Sequence, residues 1–174
     1  MVLKIIIIIA IASAALLAFA ATKPKTFYIQ RSISIKAAPE KVFALVNDFH
    51  DWSRWAPQDK EDSSMTRTFS GAAHGKGAVS EWNSKGSAGR GRMAITESVP
   101  PTMISIKVDF VKPFEAHNIN EFTFEPAGTS TKVVWTLHGT NLYFMKVMSV
   151  FVNVDSMVGK HFESGLNNLK TLAE

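Results

Sequence analysis

The side chains able to carry acid–base or coordination chemistry in this 174-residue chain are five histidines and 15 carboxylates, because cysteine is absent. That absence excludes thiol nucleophiles, cysteine-bound zinc and a disulfide framework. His50, His74, His117, His138 and His161 never pair as H-x-x-x-H or H-E-x-x-H. Those spacings bring two imidazoles to one face of a helix, so no metal motif is present. No Gly-x-Ser-x-Gly elbow marks a hydrolase. Gly86-Ser87-Ala88-Gly89-Arg90-Gly91 lacks the Gly-Lys-Ser/Thr ending of a phosphate loop. The glycines between Gly71 and Gly91 read instead as turns and bulges of a curved sheet. No cofactor is implied. One carboxylate stands out. Alternation from Arg90 to Val99 puts Met93, Ile95 and Glu97 on one side of a strand. A carboxyl on an apolar face is desolvated, stays protonated more readily and can act as a general acid. The competing reading is a solvated strand end, or a pair with Arg31, Arg90 or Arg92. Asn118 and Asn120 either orient a ligand carbonyl or hydroxyl, or bond turn backbone. Asp59, Glu61 and Asp62 read as solvated loop.

These residues need elements to position them, and the hydrophobic period supplies the elements. Phe27, Ile29, Ile33 and Ile35 alternate on one strand face, with Arg31 a mismatch on that same face. Pro39 suits a first helical position, and Val42, Phe43, Leu45 and Val46 form one stripe of a short helix. Phe49, Trp52 and Trp55 are three apart on a second short helix ended by Pro57. From Ser64 the period becomes two. Met65 to Phe69, Ala78 to Asn83, Arg90 to Val99, Met103 to Val111, Ala116 to Glu125 and Lys132 to His138 read as strands. Their short connections imply antiparallel neighbours. Leu142 to Val152 is apolar apart from Lys146 and Ser149, and too short to span a bilayer. Val154, Val158, Phe162, Leu166, Leu169 and Leu172 then mark a long amphipathic helix, with Asn153 or Asp155 as its cap. The predicted class is α+β: about seven antiparallel strands, curved, gripping a long C-terminal helix, with two short helices after the first strand.

Charged residues are 20% and hydrophobic residues 46%, the balance of a globular chain. The net charge of +4 invites a nucleic-acid reading. The basic residues are dispersed, without a run or a helical stripe, so nucleic acid is not expected as a partner. The nearest cluster, Lys76, Lys85, Arg90 and Arg92, reads as solvated surface, with weak attraction to anionic lipid as the alternative. Residues Ile5 to Ala21 are uncharged. As a helix they measure about 25 Å against a bilayer core of about 30 Å. Two readings stay open: an uncleaved anchor, or a signal peptide cut after Ala18-Phe19-Ala20. Either sends the domain to the extracytoplasmic side if Lys4 stays inside, although Lys23 and Lys25 on the far flank weaken that orientation. Residues 1–25 are therefore anchor or signal plus linker, and residues 26–174 the domain.

The order of motifs resembles the SRPBCC superfamily, the START-like or polyketide cyclase/dehydrase-like proteins, in its membrane-anchored bacterial form. The resemblance rests on Arg31 to Ile35 followed by Ala38-Pro39-Glu40-Lys41-Val42-Phe43, and on Trp52-x-x-Trp55-x-Pro57. It continues through Phe69-Ser70-Gly71, Gly75-Lys76-Gly77, Glu81-Trp82, Gly91 to Glu97 with Pro100-Pro101, Thr131 to Trp135 and Gly159 to Leu169. The resemblance implies a helix-grip fold with an apolar cavity between sheet and C-terminal helix. Alternation then nominates the lining: Trp82, Met93, Ile95, Ile106, Val108, Asn118, Asn120, Phe122 and Trp135 from the strands. Phe144, Met148, Phe151, Met157 and Phe162 follow from the helical end. Three functions fit: a membrane-associated binder or carrier of a lipid, isoprenoid or polyketide-like molecule; a cyclase or dehydratase using Glu97 with Asn118 or Asn120; or a ligand-free interaction module.

Overall fold

The computed structural model describes residues 2–57, 62–86 and 88–174. Asp59 and Glu61 lie outside the described residues. The elements are helix α1 (Val2–Ala21), strand β1 (Thr26–Ile35), helices α2 (Pro39–Asn47) and α3 (Trp52–Trp55), and strands β2 (Thr66–Gly71) and β3 (Ala78–Asn83). Strands β4 (Arg90–Val99), β5 (Met103–Lys112), β6 (Ala116–Ala127) and β7 (Ser130–Thr140) follow, then helices α4 (Tyr143–Met148) and α5 (Val154–Ala173). The seven strands form one antiparallel sheet in the order β1-β7-β6-β5-β4-β3-β2. The α+β helix-grip architecture predicted from periodicity is the one observed. Only the first strand leaves its sequence neighbours, and it pairs with the last. Every other connection is a hairpin, as the short turns require.

Ile29 and Ile35 are buried on the inner face of β1, and Arg31 shares it. The mismatch has a partner. Arg31 reaches across to α5, where its guanidinium pairs with Asp155 and Glu163 at 2.9 Å each. A Cβ on Gly159 would sit 1.9 Å from Arg31 Nη2, so that glycine leaves room for the guanidinium. Asn153 caps α5, its side chain accepting from the Ser156 backbone NH.

One half of the sheet's concave face is packed solid. Phe122, Phe124, Ile104 and Val133 are each no more than 1% exposed. Trp52 and Trp55 cover them edge-on, with ring centroids 6.1 and 6.2 Å from Phe122. Both indole N–H groups donate to the end of α2, Trp52 to the Val46 carbonyl and Trp55 to the Leu45 carbonyl. The short α2–α3 unit is thereby fixed as a plug, because a buried indole N–H needs an acceptor. The other half of the concave face is hollow.

Candidate functional site

A cavity of about 610 Å³ lies between the sheet and α5. Its position follows from strand register. Met93 and Val108 line it, and their cross-sheet row runs on through Asn118 and Gly139 to Phe27, the second residue of β1. The next row, Trp82, Gly91 and Phe110, closes the outer wall. The hollow thus occupies the end of the sheet where β1 begins, next to the junction with α1.

The walls are largely apolar. Trp135 stacks on Phe162 of α5 with centroids 4.0 Å apart and planes at 7°. Phe122 stacks on the same indole from beneath at 4.9 Å. Trp82 stands edge-on to Phe110, and its N–H donates to the Ala88 carbonyl at 3.0 Å. Met65, Leu137, Met157 and Val158 complete the apolar surface. Among the described residues, four charged or amide-bearing ones line it: Asp62, Arg67, Asn120 and His161. Asn120 Oδ1 accepts from the Trp135 N–H at 3.2 Å, which leaves its amide NH₂ as a donor. Arg67 Nη1 donates to Ser80 Oγ at 3.2 Å.

Of the residues expected on the lining, Trp82, Met93, Val108, Asn120, Trp135, Met157 and Phe162 are there. Ile95, Ile106 and Phe122 face the same way but lie in packed core, with 1% exposure or less. Asn118 is buried over Gly139, where an added Cβ would meet its Oδ1 at 2.2 Å. That oxygen has no hydrogen-bond partner among the described residues. Phe144, Met148 and Phe151 were expected to face the sheet, and they do not. They are 48%, 41% and 69% exposed, because α4 is held out against α1 and not over the concave face. Glu97 is also displaced. Ile95 pairs with Ile106, but Glu97 pairs with Ser105, so Thr96 is an extra residue that breaks the alternation. Past the bulge Ser98 turns inward and bonds Asn47 at 2.8 Å, while Glu97 is exposed. It cannot serve as an acid in the cavity. Asp62, expected as solvated loop, is half-buried on the lining, and Arg67 and His161 were missed there. Arg67 follows Met65 at strand spacing, and His161 follows Met157 and Val158 at helical spacing, so both could have been found. Among the described residues no group of three or more His, Cys, Asp or Glu gathers as a metal site.

The rim is tied by Asp62. Its carboxylate accepts from the Ser64 backbone NH at 2.9 Å, the Ser64 hydroxyl at 2.6 Å and the Ser84 hydroxyl. The Lys85 NH in turn donates to Ser64 Oγ. The hydroxyl bond from Ser64, then that from Ser84, then the Ser64 NH hold the Asp62 carboxyl below its ordinary value of 3.8, against a small opposing effect of burial. A depressed folded pKa makes this support complete above the ordinary carboxylate range. It is lost as pH falls through 3.8 toward the depressed value. The protection of the Ser64 and Lys85 amides, relative to their intrinsic exchange at each pH, is therefore expected to fall in that acid window before that of the sheet amides. Hydrogen exchange against pH checks it, and uniform protection would refute it.

Gly91 underlies Trp82. A Cβ there would lie 2.2 Å from the indole Cζ2 and 2.6 Å from the Asp109 carbonyl. Gly91→Ala is expected to cost about 1–3 kcal/mol through overpacking. It would also redshift Trp82 emission by breaking the bond to Ala88. Urea unfolding and fluorescence read both effects.

Residues 26–174 match the family described as polyketide cyclase / dehydrase and lipid transport. The chain belongs to that family. Solved structures share the fold of this family member at low identity. Protein CV1439 from Chromobacterium violaceum aligns with a TM-score of 0.60 and 17% identity, over 87% of this chain and 99% of its own. The di-domain ARO/CYC BexL from the BE-7585A biosynthetic pathway gives 0.64 and 13%, over 91% of this chain and 53% of its own. The Aha1 dimer from Colwellia psychrerythraea gives 0.53 and 19%, over 84% of this chain and 93% of its own. No curated protein matches.

Proposed function

We propose that this family member is a membrane-anchored binder of a hydrophobic small molecule, held between sheet and α5. The observation that carries the reading is the hollow half of the concave face. About 610 Å³ of largely apolar space sits beside a solid half built from the same residue types. A volume of that size accommodates a ligand of drug-like dimensions. The family, whose description joins cyclases and dehydrases with lipid transport, supports a hydrophobic ligand. Asn120 offers a donor to a carbonyl or hydroxyl on it, and the methionines let the wall adapt. Helix α1 supports the anchor. It is 20 residues long, about 30 Å, with none of its apolar core segment buried. We read the domain as extracytoplasmic, with Lys4 on the inner side; secretion after cleavage at Ala20 is the other outcome.

Native mass spectrometry of the full chain purified from its own membranes tests both parts. The expected result is an intact N-terminus and an additional mass released on denaturation. Delipidated chain that takes up none of a fatty acid, a phospholipid, an isoprenoid or an aromatic polyketide would overturn the binding reading.

A second reading, a cyclase or dehydratase, draws on the convergence of Asp62, Arg67, Asn120 and His161 on one cavity. In that case His161 is the acid–base candidate in place of Glu97. His161→Ala would then lower turnover of a bound polyketide by about 10²-fold or more while binding persists. Unchanged turnover of an identified substrate would remove His161 from that role. An interaction module without a ligand has no use for the cavity and is the weakest of the three.

A further inference from the structure

We infer that α4 and the β5–β6 turn form a second, interfacial membrane contact, so that the cavity mouth lies on the bilayer and takes its ligand laterally from it. The inference rests on the anchored-binder reading above and adds where the ligand comes from. Four observations converge. The end of α1 is lashed to α4: the Tyr143 hydroxyl donates to the Leu17 carbonyl at 2.8 Å, and the Lys146 ammonium donates to the Lys23 carbonyl at 3.0 Å. Leu17 is inside α1, four residues before its end, so Tyr143 sits about 6 Å below the helix terminus. That is the interfacial depth tyrosine favours. Second, the outward side of α4 and its exit is apolar. Phe144, Met148 and Phe151 stand exposed, and Phe114 of the β5–β6 turn packs against Phe144, rings tilted by 34° with centroids 4.6 Å apart. A contiguous exposed apolar patch of this kind marks a contact surface. Third, the patch adjoins the mouth. Phe110 lines the cavity four residues before Phe114, and Met157 lines it six residues after Phe151, itself 59% exposed. Fourth, the sheet end that holds the cavity is the end where β1 leaves α1. Lys25 and Lys112 are exposed at that end and suit anionic headgroups. The bilayer is the occupant committed to, because α1 brings it there.

The chain lacks cysteine, so single cysteines can be labelled without background. Phe144→Cys and Phe151→Cys, with Ala127→Cys on the opposite end of the sheet, would carry an environment-sensitive dye. Full-length chain is reconstituted in phosphatidylcholine/phosphatidylglycerol vesicles. The expected result is severalfold protection of the labels at 144 and 151 from aqueous iodide, relative to 127, with quenching by acyl-chain nitroxides. Accessibility equal to that at 127 overturns the contact. So does protection without acyl-chain quenching in a chain that cross-links to a second copy. Lateral loading is read separately, with a fluorescent fatty acid. The Phe144→Ser, Phe151→Ser double variant is expected to load severalfold more slowly from vesicles and at the wild-type rate from detergent micelles. Equal loading from vesicles overturns lateral uptake. Buried labels on a chain that binds no probe would sink the binder reading, and lateral uptake with it, while leaving the membrane contact standing. A bound probe with exposed labels would sink only this inference.

Discussion

Val108→Phe is expected to weaken binding of a fluorescent fatty acid at least tenfold while leaving stability within about 1 kcal/mol of the parent. In a filled core the same change forces off-rotamer side chains and costs about 1–3 kcal/mol. Val108 is 4% exposed and belongs to the core on one side, while on the other it borders the cavity. The added ring enters empty space opposite Met93, its cross-strand partner. The two readouts therefore separate. Urea midpoints report the packing, and titration with the probe reports the site. The same substitution at Ile106, which is fully buried in the solid half, should behave in the opposite way: a clear loss of stability with little direct effect on the cavity. If Val108→Phe unfolds the chain as readily as Ile106→Phe, the hollow is not there.

Trp135→Ala is the change expected to cost the fold most. Its indole is 2% exposed and lies between Phe122 and Phe162, with Trp55 edge-on at 5.7 Å. It joins the plug, the sheet and α5. Truncating a buried aromatic of this size costs about 3–5 kcal/mol, and here the void would merge with the cavity beside it. Trp135→Phe isolates a smaller part. It keeps most of the ring contact but removes the N–H, leaving Asn120 Oδ1 without its donor, for about 1–3 kcal/mol. A cost under about 1 kcal/mol for the alanine variant would show that α5 is held mainly elsewhere.

The strands were legible because one face of each is buried and the other is not. Ile104, Ile106, Val108 and Phe110 alternate with exposed or half-buried residues, and period two has no other physical source in a chain of this composition. Arg31 was legible as an exception but not as a solution, since Asp155 and Glu163 lie more than a hundred residues away. For Glu97 the solvated strand end is what the structure shows, and its assignment to the inward face fails for a local reason. A single inserted residue inverts the remainder of a strand, and Thr96 carries no mark that distinguishes it from a paired residue. The division of the concave face was illegible for a different reason. Ile95 and Met93 are two apart on one strand and both buried in the core, yet only Met93 also borders the hollow. What separates them is tertiary placement relative to the cavity, which no alternation encodes. The run from Leu142 to Val152 posed the same ambiguity. An apolar face is written alike whether its neighbour is protein or lipid.

The connection between α1 and the sheet is four residues, Thr22 to Lys25, one of whose carbonyls, that of Lys23, is engaged by Lys146 of α4 and two, those of Pro24 and Lys25, by Asn141. Fully extended, such a segment reaches about 14 Å. With α1 in a bilayer, the domain therefore cannot lift away and cross an aqueous gap to another membrane. On the anchored reading, its working space would be a plane. On that reading, exchange with other membrane-bound molecules would be governed by surface density and lateral diffusion and not by bulk concentration.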